Sequence, residues 1–157
     1  MANTMRWRYG DTNPVLLPVD VGYSIEIGDL VYLEIDDARP ASSQPDQLTL
    51  AANQEMFHDK FLGVAMQATD VDGAAAIRIA TSGVFEFDCL SESFEVGDLV
   101  GSREEATGTQ LDTQIVTGVA TENLAIGRCV KRVPTPGSKV LVDIASTIAR
   151  GGPQVAA

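Results

Sequence analysis

Apolar and polar residues alternate along most of the chain, which is the pattern of strands that bury one face. The alternation is clearest at residues 23–27, 30–35, 77–79 and 84–87. Residues 50–61 depart from it, because the spacing of Leu50, Gln54, Phe57 and Phe61 predicts that they share one face of a helix. Thr49 is placed to cap its first turn and Gly63 to end it. The pattern predicts an all-β fold, mainly strands with one short helix.

A seven-residue motif occurs twice, as IEIGDLV at residues 25–31 and as FEVGDLV at residues 94–100. Weaker matches follow each copy, at 62–64 against 126–128 and at 77–81 against 142–146, with offsets of 69, 64 and 65 residues. Glycine can adopt a positive φ and aspartate can bond nearby amides, so Gly28-Asp29 and Gly97-Asp98 are predicted structural turns that lead into strands. We therefore expect a β-barrel-like body built from two similar halves.

The length of 157 residues suits one domain better than two. We predict an extended N-terminal arm at residues 1–12 and a single β-domain at 13–150, with an internal pseudo-repeat of about 23–80 and 92–145. Residues 151–157 begin with Gly151-Gly152-Pro153 and are expected to form a flexible tail.

Charge and hydropathy exclude two classes of partner. The chain has 22 acidic and 11 basic residues, a formal net charge of −11, which repels nucleic acid. Its longest apolar runs, such as residues 15–17, are far shorter than the roughly 20 residues that cross a bilayer. We expect no direct nucleic-acid binding, no membrane association and synthesis in a cytoplasm. Cys89 and Cys129 suit buried thiols, although a disulfide between them stays an alternative.

The sequence offers no catalytic residues, metal site or cofactor site. His58 is the one histidine, and neither a nucleophile motif nor a phosphate-binding glycine loop is present. Residues 70–73 begin like a calcium loop, but Thr81 stands where the loop requires glutamate. Asp72-Gly73 is instead expected to form a tight hairpin turn. We predict that the protein is not an enzyme.

The N-terminal arm concentrates the residue types that dominate protein interfaces. Arg6, Trp7, Arg8 and Tyr9 lie together, and Trp7 is the one tryptophan of the chain. We predict that these four residues bind a partner, and that removal of residues 1–9 would leave the body folded. The alternative is that Trp7 covers an open end of the barrel while the arginines are solvated.

Several segments together resemble a widespread family of tailed-phage capsid cement, or head-decoration, proteins. They are residues 84–87, 94–101, 114–116, 125–128 and 140–144, and the resemblance spans roughly Gly28 to Ile148. It implies a β-tulip or barrel body, a homotrimer that clamps neighbouring major capsid protein subunits, and an N-terminal arm in contact with the shell. It also implies a location on the capsid exterior of a virion after synthesis in a host bacterium.

The resulting hypothesis is a structural virion protein that decorates and stabilises a phage capsid by bridging major capsid protein subunits. The alternative from another class is a β-barrel module that binds a carbohydrate or host-surface ligand. In that case Tyr9, Tyr23 and Tyr32 would supply the stacking surfaces.

Overall fold

Strands are the main regular secondary structure of the molecule, and their residues far outnumber helical residues. The computed structural model describes residues 3–70, 72 and 76–154. The strands in these residues are β1 (Trp7–Tyr9), β2 (Val15–Pro18), β3 (Leu30–Glu34), β4 (Asp37–Pro40), β5 (Phe61–Ala65), β6 (Ala76–Ala80), β7 (Ser82–Phe94), β8 (Leu99–Glu104), β9 (Leu111–Gly118), β10 (Gly127–Cys129) and β11 (Val133–Ala145). The helices are α1 (Leu50–Lys60) and the one-turn α2 (Thr147–Arg150), with 3₁₀ turns at Ala41–Ser43 and Glu122–Leu124. The mainly-β prediction is confirmed.

The strands form two sheets with the same connectivity. The first sheet has the order β2-β6-β5-β3-β4, and the second contains the order β7-β11-β10-β8-β9. When the five strands of each half are numbered in chain order, their order across the sheet is first, fifth, fourth, second, third in both halves. Helix α1 and the Glu122–Leu124 turn precede the fourth strand of their halves. The prediction of two similar halves agrees with this shared topology.

The second sheet closes into a barrel and the first does not. Closure comes from a parallel pairing of β7 with β9 at Asp88 and Ile115. Strand β1 pairs antiparallel with β7 near its start, opposite Val84 and Phe85. Since β11 occupies one edge of β7, β1 and β9 take successive stretches of the other. The N-terminal segment is thus an added strand of the barrel sheet.

The two Gly-Asp turns have the same geometry. Both Gly28 and Gly97 have φ 96°, a conformation that favours glycine. In each turn the aspartate Oδ2 accepts the backbone N–H three residues earlier, at 2.9 Å for Asp29 and 2.8 Å for Asp98. Both turns lead directly into a strand, β3 in the first half and β8 in the second.

Strand register corrects one of the sequence offsets. The first turn exchanges two backbone hydrogen bonds with Ala65, and the second exchanges the same two with Cys129. Ala65 pairs with Ile79, and Cys129 pairs with Val142. Ile79 is therefore equivalent to Val142, an offset of 63, and not to Ile144 as the sequence match proposed. Because apolar residues recur at every second position of a strand, sequence matches that differ by two positions look equally good.

Two apolar clusters fill the molecule. The smaller lies within the first half and includes Val31, Leu62 and Ile79. The larger fills the barrel and also takes residues of the first half, such as Leu30 and Tyr32. Neighbouring residues Leu30 and Val31 thus belong to different clusters, as the alternating faces of a strand require. The face of the first sheet that carries Leu30 and Tyr32, here called its outer face, is therefore buried against the second half.

Helix α1 follows its predicted start but not its predicted end. Thr49 Oγ1 accepts the Ala52 N–H at 3.1 Å, which confirms the cap. The helix ends at Lys60, and Gly63 lies inside β5, where a Cβ would collide with the Ala80 carbonyl. Leu50 is 42% exposed, so it does not share the buried face of the helix. Among the described residues, no helix is long and apolar enough to cross a membrane.

Three smaller predictions fall partly or wholly beyond the described residues. Val71 and Gly73 lie outside them, so the hairpin turn and the calcium-like segment are not described. The predicted tail is described as far as residue 154, where Arg128 donates to the Gln154 carbonyl at 2.7 Å.

Cys89 and Cys129 are both buried and free, and burial raises the pKa of each thiol.

Candidate functional site

The N-terminal segment crosses the first Gly-Asp turn before it reaches the barrel. Asn3 Oδ1 accepts the Ile27 N–H at 2.8 Å, and the Thr4 N–H donates to the Ile27 carbonyl at 2.9 Å. Strand β1 then pairs with β7. The predicted arm is extended, and its described part is bound to the body along this path.

The Arg6 side chain of this segment is buried against the barrel. It is 5% exposed, and its Nε donates to Gln114 Oε1 at 2.8 Å. One terminal nitrogen bonds the Glu86 carbonyl at 3.2 Å, and the other pairs with Asp88 Oδ2 at 2.9 Å. Because the guanidinium is committed to the barrel, Arg6 holds the arm in place and is not accessible to a partner.

The network extends from Arg6 into the first half. Gln114 is fully buried, and its Nε2 donates to Asp29 Oδ1 at 2.8 Å. Burial raises the pKa of Asp29, although hydrogen bonds from the Glu26 backbone and from Gln114 act in the opposite direction. Arg6, Gln114 and Asp29 therefore connect the arm, the barrel and the first turn.

Asp88 accepts from two cations on the outer face of β7. Lys139 Nζ donates to its Oδ1 at 2.8 Å, and Arg6 pairs with its Oδ2. Partial burial raises the pKa of Asp88, but the hydrogen bonds from Lys139 and Arg6 outweigh burial and lower it below the ordinary value. The ionised carboxylate is thus favoured by the folded state.

Arg8 makes a more exposed contact with the same strand. Its guanidinium pairs with Glu86 Oε1 at 3.0 Å, and its side chain is 41% exposed. It also donates to the Met5 and Trp7 carbonyls, at 3.1 and 3.2 Å. Arg8 remains accessible while its contacts shape the arm.

Three apolar side chains of the arm are exposed. Met5, Trp7 and Tyr9 are 47%, 40% and 53% exposed, and the register of β1 shifts between Trp7 and Tyr9. Trp7 Nε1 donates to the Gly10 carbonyl at 3.0 Å, which fixes the indole. We call Met5, Trp7 and Tyr9 the arm row.

Sequence reasoning named two members of the arm row and missed the groups beneath the arm. Met5 precedes Arg6 in the same segment, and methionine is enriched at interfaces, so the composition of the arm contained the signal for it. Asp88 and Gln114 were not singled out, because nothing local links them to Arg6. The binding role of Trp7, Arg8 and Tyr9 stays a prediction.

The tyrosines of the alternative hypothesis do not form one exposed surface. Tyr32 is 1% exposed, and its hydroxyl lies 3.2 Å from Ser43 Oγ. The Tyr23 ring carries the Arg39 guanidinium at 4.5 Å from its centroid. Of the three, Tyr9 is the one with more than half of its surface exposed.

Side chains that commonly bind metal ions are dispersed in the described part of the chain. Within those residues, no three or more His, Cys, Asp or Glu side chains are grouped so that they could hold a metal ion. His58 Nδ1 lies 2.7 Å from the Ala125 carbonyl, a contact between helix α1 and the segment before β10. His58 therefore has a packing role here.

Comparison with known proteins gives a matching family and a similar solved structure among its matches. The crystal structure of the head fibre gp8.5 N base of bacteriophage phi29 is similar over 84% of this chain and 94% of that chain, with 13% identity and a TM-score of 0.44. No curated protein matches the sequence. The family model described as phage cement protein matches residues 43–144, which is more than half of the chain and includes strands of both halves. The chain therefore belongs to the phage cement protein family.

Proposed function

We propose that the protein decorates the exterior of a phage capsid and stabilises it by bridging major capsid protein subunits. The observation that carries the proposal is the match to the phage cement family over residues 43–144, a family of capsid structural proteins. A subunit that binds the assembled shell better than its separate parts stabilises it by linkage, and many copies multiply the effect. The net charge of −11 keeps unbound copies apart before they meet the shell.

The arm row is the proposed main anchor to the major capsid protein, with Arg8 beside it. Large aromatic side chains are the commonest hot spots of interfaces, and they bind best when they are already ordered. Trp7 and Tyr9 meet both conditions, since they are exposed and lie on a strand paired with the barrel. Arg6 contributes indirectly, because it fixes the strand that carries them.

The experiment compares decoration by wild type, Trp7→Ala and Leu16→Ala. Purified protein is added to undecorated capsids of the encoding phage, and bound copies are counted by cryo-electron microscopy and by titration. Loss of the Trp7 ring should weaken binding by about 2 kcal/mol, or roughly 30-fold. Leu16 is 64% exposed on β2, so its truncation is the matched control and should leave binding unchanged.

Three results contradict these proposals. Failure of the wild-type protein to bind capsids would reject the decoration role. Binding without contacts to two or more capsid subunits rejects bridging. Equal binding by wild type and Trp7→Ala rejects the arm row as the anchor.

We further propose that the protein acts as a homotrimer, as the resemblance to decoration proteins implies. Light scattering should give three times the chain mass of 16.7 kDa, either free or after release from the shell. Monomers on the shell without threefold contacts would reject the trimer. The bridging proposal would be unaffected.

A further inference from the structure

The two equivalent Gly-Asp turns differ in what covers them. The first turn is buried, and Asp29 is 4% exposed, whereas Gly97 and Asp98 are exposed. A Cβ on Gly28 would collide with the Thr4 carbonyl and would meet Arg6 Cγ at 3.1 Å. A Cβ on Gly97 would meet nothing within 4 Å among the described residues.

The backbone beside each turn shows the same difference. In the first half, both polar backbone groups of Ile27 are bonded by Asn3 and Thr4. The equivalent residue of the second half is Val96, whose side chain is 67% exposed. In the part of the chain that the structure describes, no hydrogen bond reaches the Val96 backbone. The second half thus retains an open position for an extended segment.

A pocket of about 390 Å³ lies at this position. Its lining includes Val96, Gly97, Gly127, Arg128, Asp143 and Gln154, and we call it the Gly97 pocket. Gly97 forms part of its wall, and because a Cβ there would meet nothing within 4 Å in the described chain, the backbone of a bound segment could approach closely. On the first half, the corresponding outer face is buried by the second half and the arm.

Of the two charged residues that line the Gly97 pocket, Asp143 has no ion pair within the described residues and Arg128 has one. The Arg128 guanidinium is occupied by the Gly97 carbonyl at 2.9 Å, by Gln154 and by Glu122 at 3.6 Å. Asp98 and Asp143 are exposed and have no ion pair within the described residues. A basic segment is therefore the electrostatic complement of this surface.

We propose that the Gly97 pocket binds an extended basic segment of the major capsid protein. This inference rests on the proposed function. The segment would bond the Val96 backbone as Asn3 and Thr4 bond Ile27, in the manner of strand addition. Its basic side chain would cross Gly97 as Arg6 crosses Gly28 and would reach Asp98 or Asp143. The chain's own arm is not the occupant, because Asn3 and Thr4 bond it to the first turn and Arg6 holds it on the barrel.

The first test compares Val96→Lys with Val21→Lys in the capsid-binding titration. The two valines are 67% and 66% exposed, so the control introduces the same charge at a matched surface position away from the pocket lining. Lysine at residue 96 would obstruct the segment and repel its charge, so binding should fall roughly tenfold or more. Val21→Lys should change binding less than about twofold, and both variants should melt as wild type.

The second test places a photo-crosslinking benzoyl-phenylalanine at residue 96 on decorated capsids. A crosslink to a Lys- or Arg-containing segment of the major capsid protein supports the proposal. A crosslink to a second copy of this chain, or none on fully decorated shells, overturns it. If wild type and Val96→Lys bind capsids equally well, this inference alone is rejected. If wild type does not bind capsids, the proposed function is rejected as well.

Discussion

Arg6 shows how a single residue can have a role opposite to the one its sequence context suggests. Near the N-terminus of an acidic chain, an arginine beside tryptophan is typical of a binding arm. Its acceptors lie in the same chain, with Asp88 82 positions away and Gln114 108 positions away. A sequence pattern contains no record of such distant contacts. The arginine therefore holds the arm to the barrel, and the proposed binding role is left to its exposed neighbours.

This placement predicts different costs for the two arginines of the arm. Arg6→Ala leaves Gln114 and Asp88 without their buried donor, so the free energy of unfolding should fall by about 2–3 kcal/mol. Arg8→Ala removes a pair that is 41% exposed at the arginine, which should cost less than about 1 kcal/mol. Urea unfolding of both variants measures the difference, and equal losses would contradict the buried network.

On the same grounds, deletion of residues 1–9 is expected to destabilise the body, in contrast to the expectation from the sequence.

The lowered pKa of Asp88 predicts an acid-dependent loss of stability. Since the folded state favours the carboxylate, the contribution is fully present above the ordinary value of 3.8 and is lost as pH falls through the lower folded-state pKa. The stability difference between wild type and Asp88→Asn should be constant near neutral pH and shrink below about pH 4. Unfolding measured between pH 7 and pH 2 tests this. A difference that grows on acidification would contradict it.

At the scale of elements, the sequence predicted what depends on local chemistry. The Gly-Asp turns, the alternating strands and the Thr49 cap each follow from a few adjacent residues. Gly63 did not follow, because its small size serves a close approach to the Ala80 carbonyl on a neighbouring strand and not the end of a helix. The same residue type has two explanations, and only tertiary packing decides between them.

The paired turns predict a matched pair of glycine substitutions. Gly28→Ala and Gly97→Ala should each cost about 1–2 kcal/mol, since both residues have φ 96°. Gly28→Ala should cost a further 1–3 kcal/mol, roughly, because its methyl group would displace Thr4 and Arg6. Thermal and urea unfolding give both values. Equal costs would show that the arm does not press on the first turn in solution.

At the scale of the molecule, the duplicated motif predicted two halves but not their different outcomes. Strand β7 runs from Ser82 to Phe94 and is long enough to pair with β1, β9 and β11. Its counterpart β2 has four residues and ends at Pro18, which lacks an N–H to donate. Only the second half therefore closes into a barrel. Strand length and long-range pairing decide this, and neither is contained in the repeated motif.

The whole molecule should unfold as one unit. The larger apolar cluster joins both halves, and the Arg6–Gln114–Asp29 network adds the arm to them. No part can then detach without exposing apolar surface or leaving buried polar groups unpaired. Trp7, the one tryptophan, reports on β1 by fluorescence, while far-UV circular dichroism reports on the sheets. The two probes should give coincident urea transitions. A fluorescence transition at lower urea would show that the arm separates first, and this would contradict a single cooperative domain.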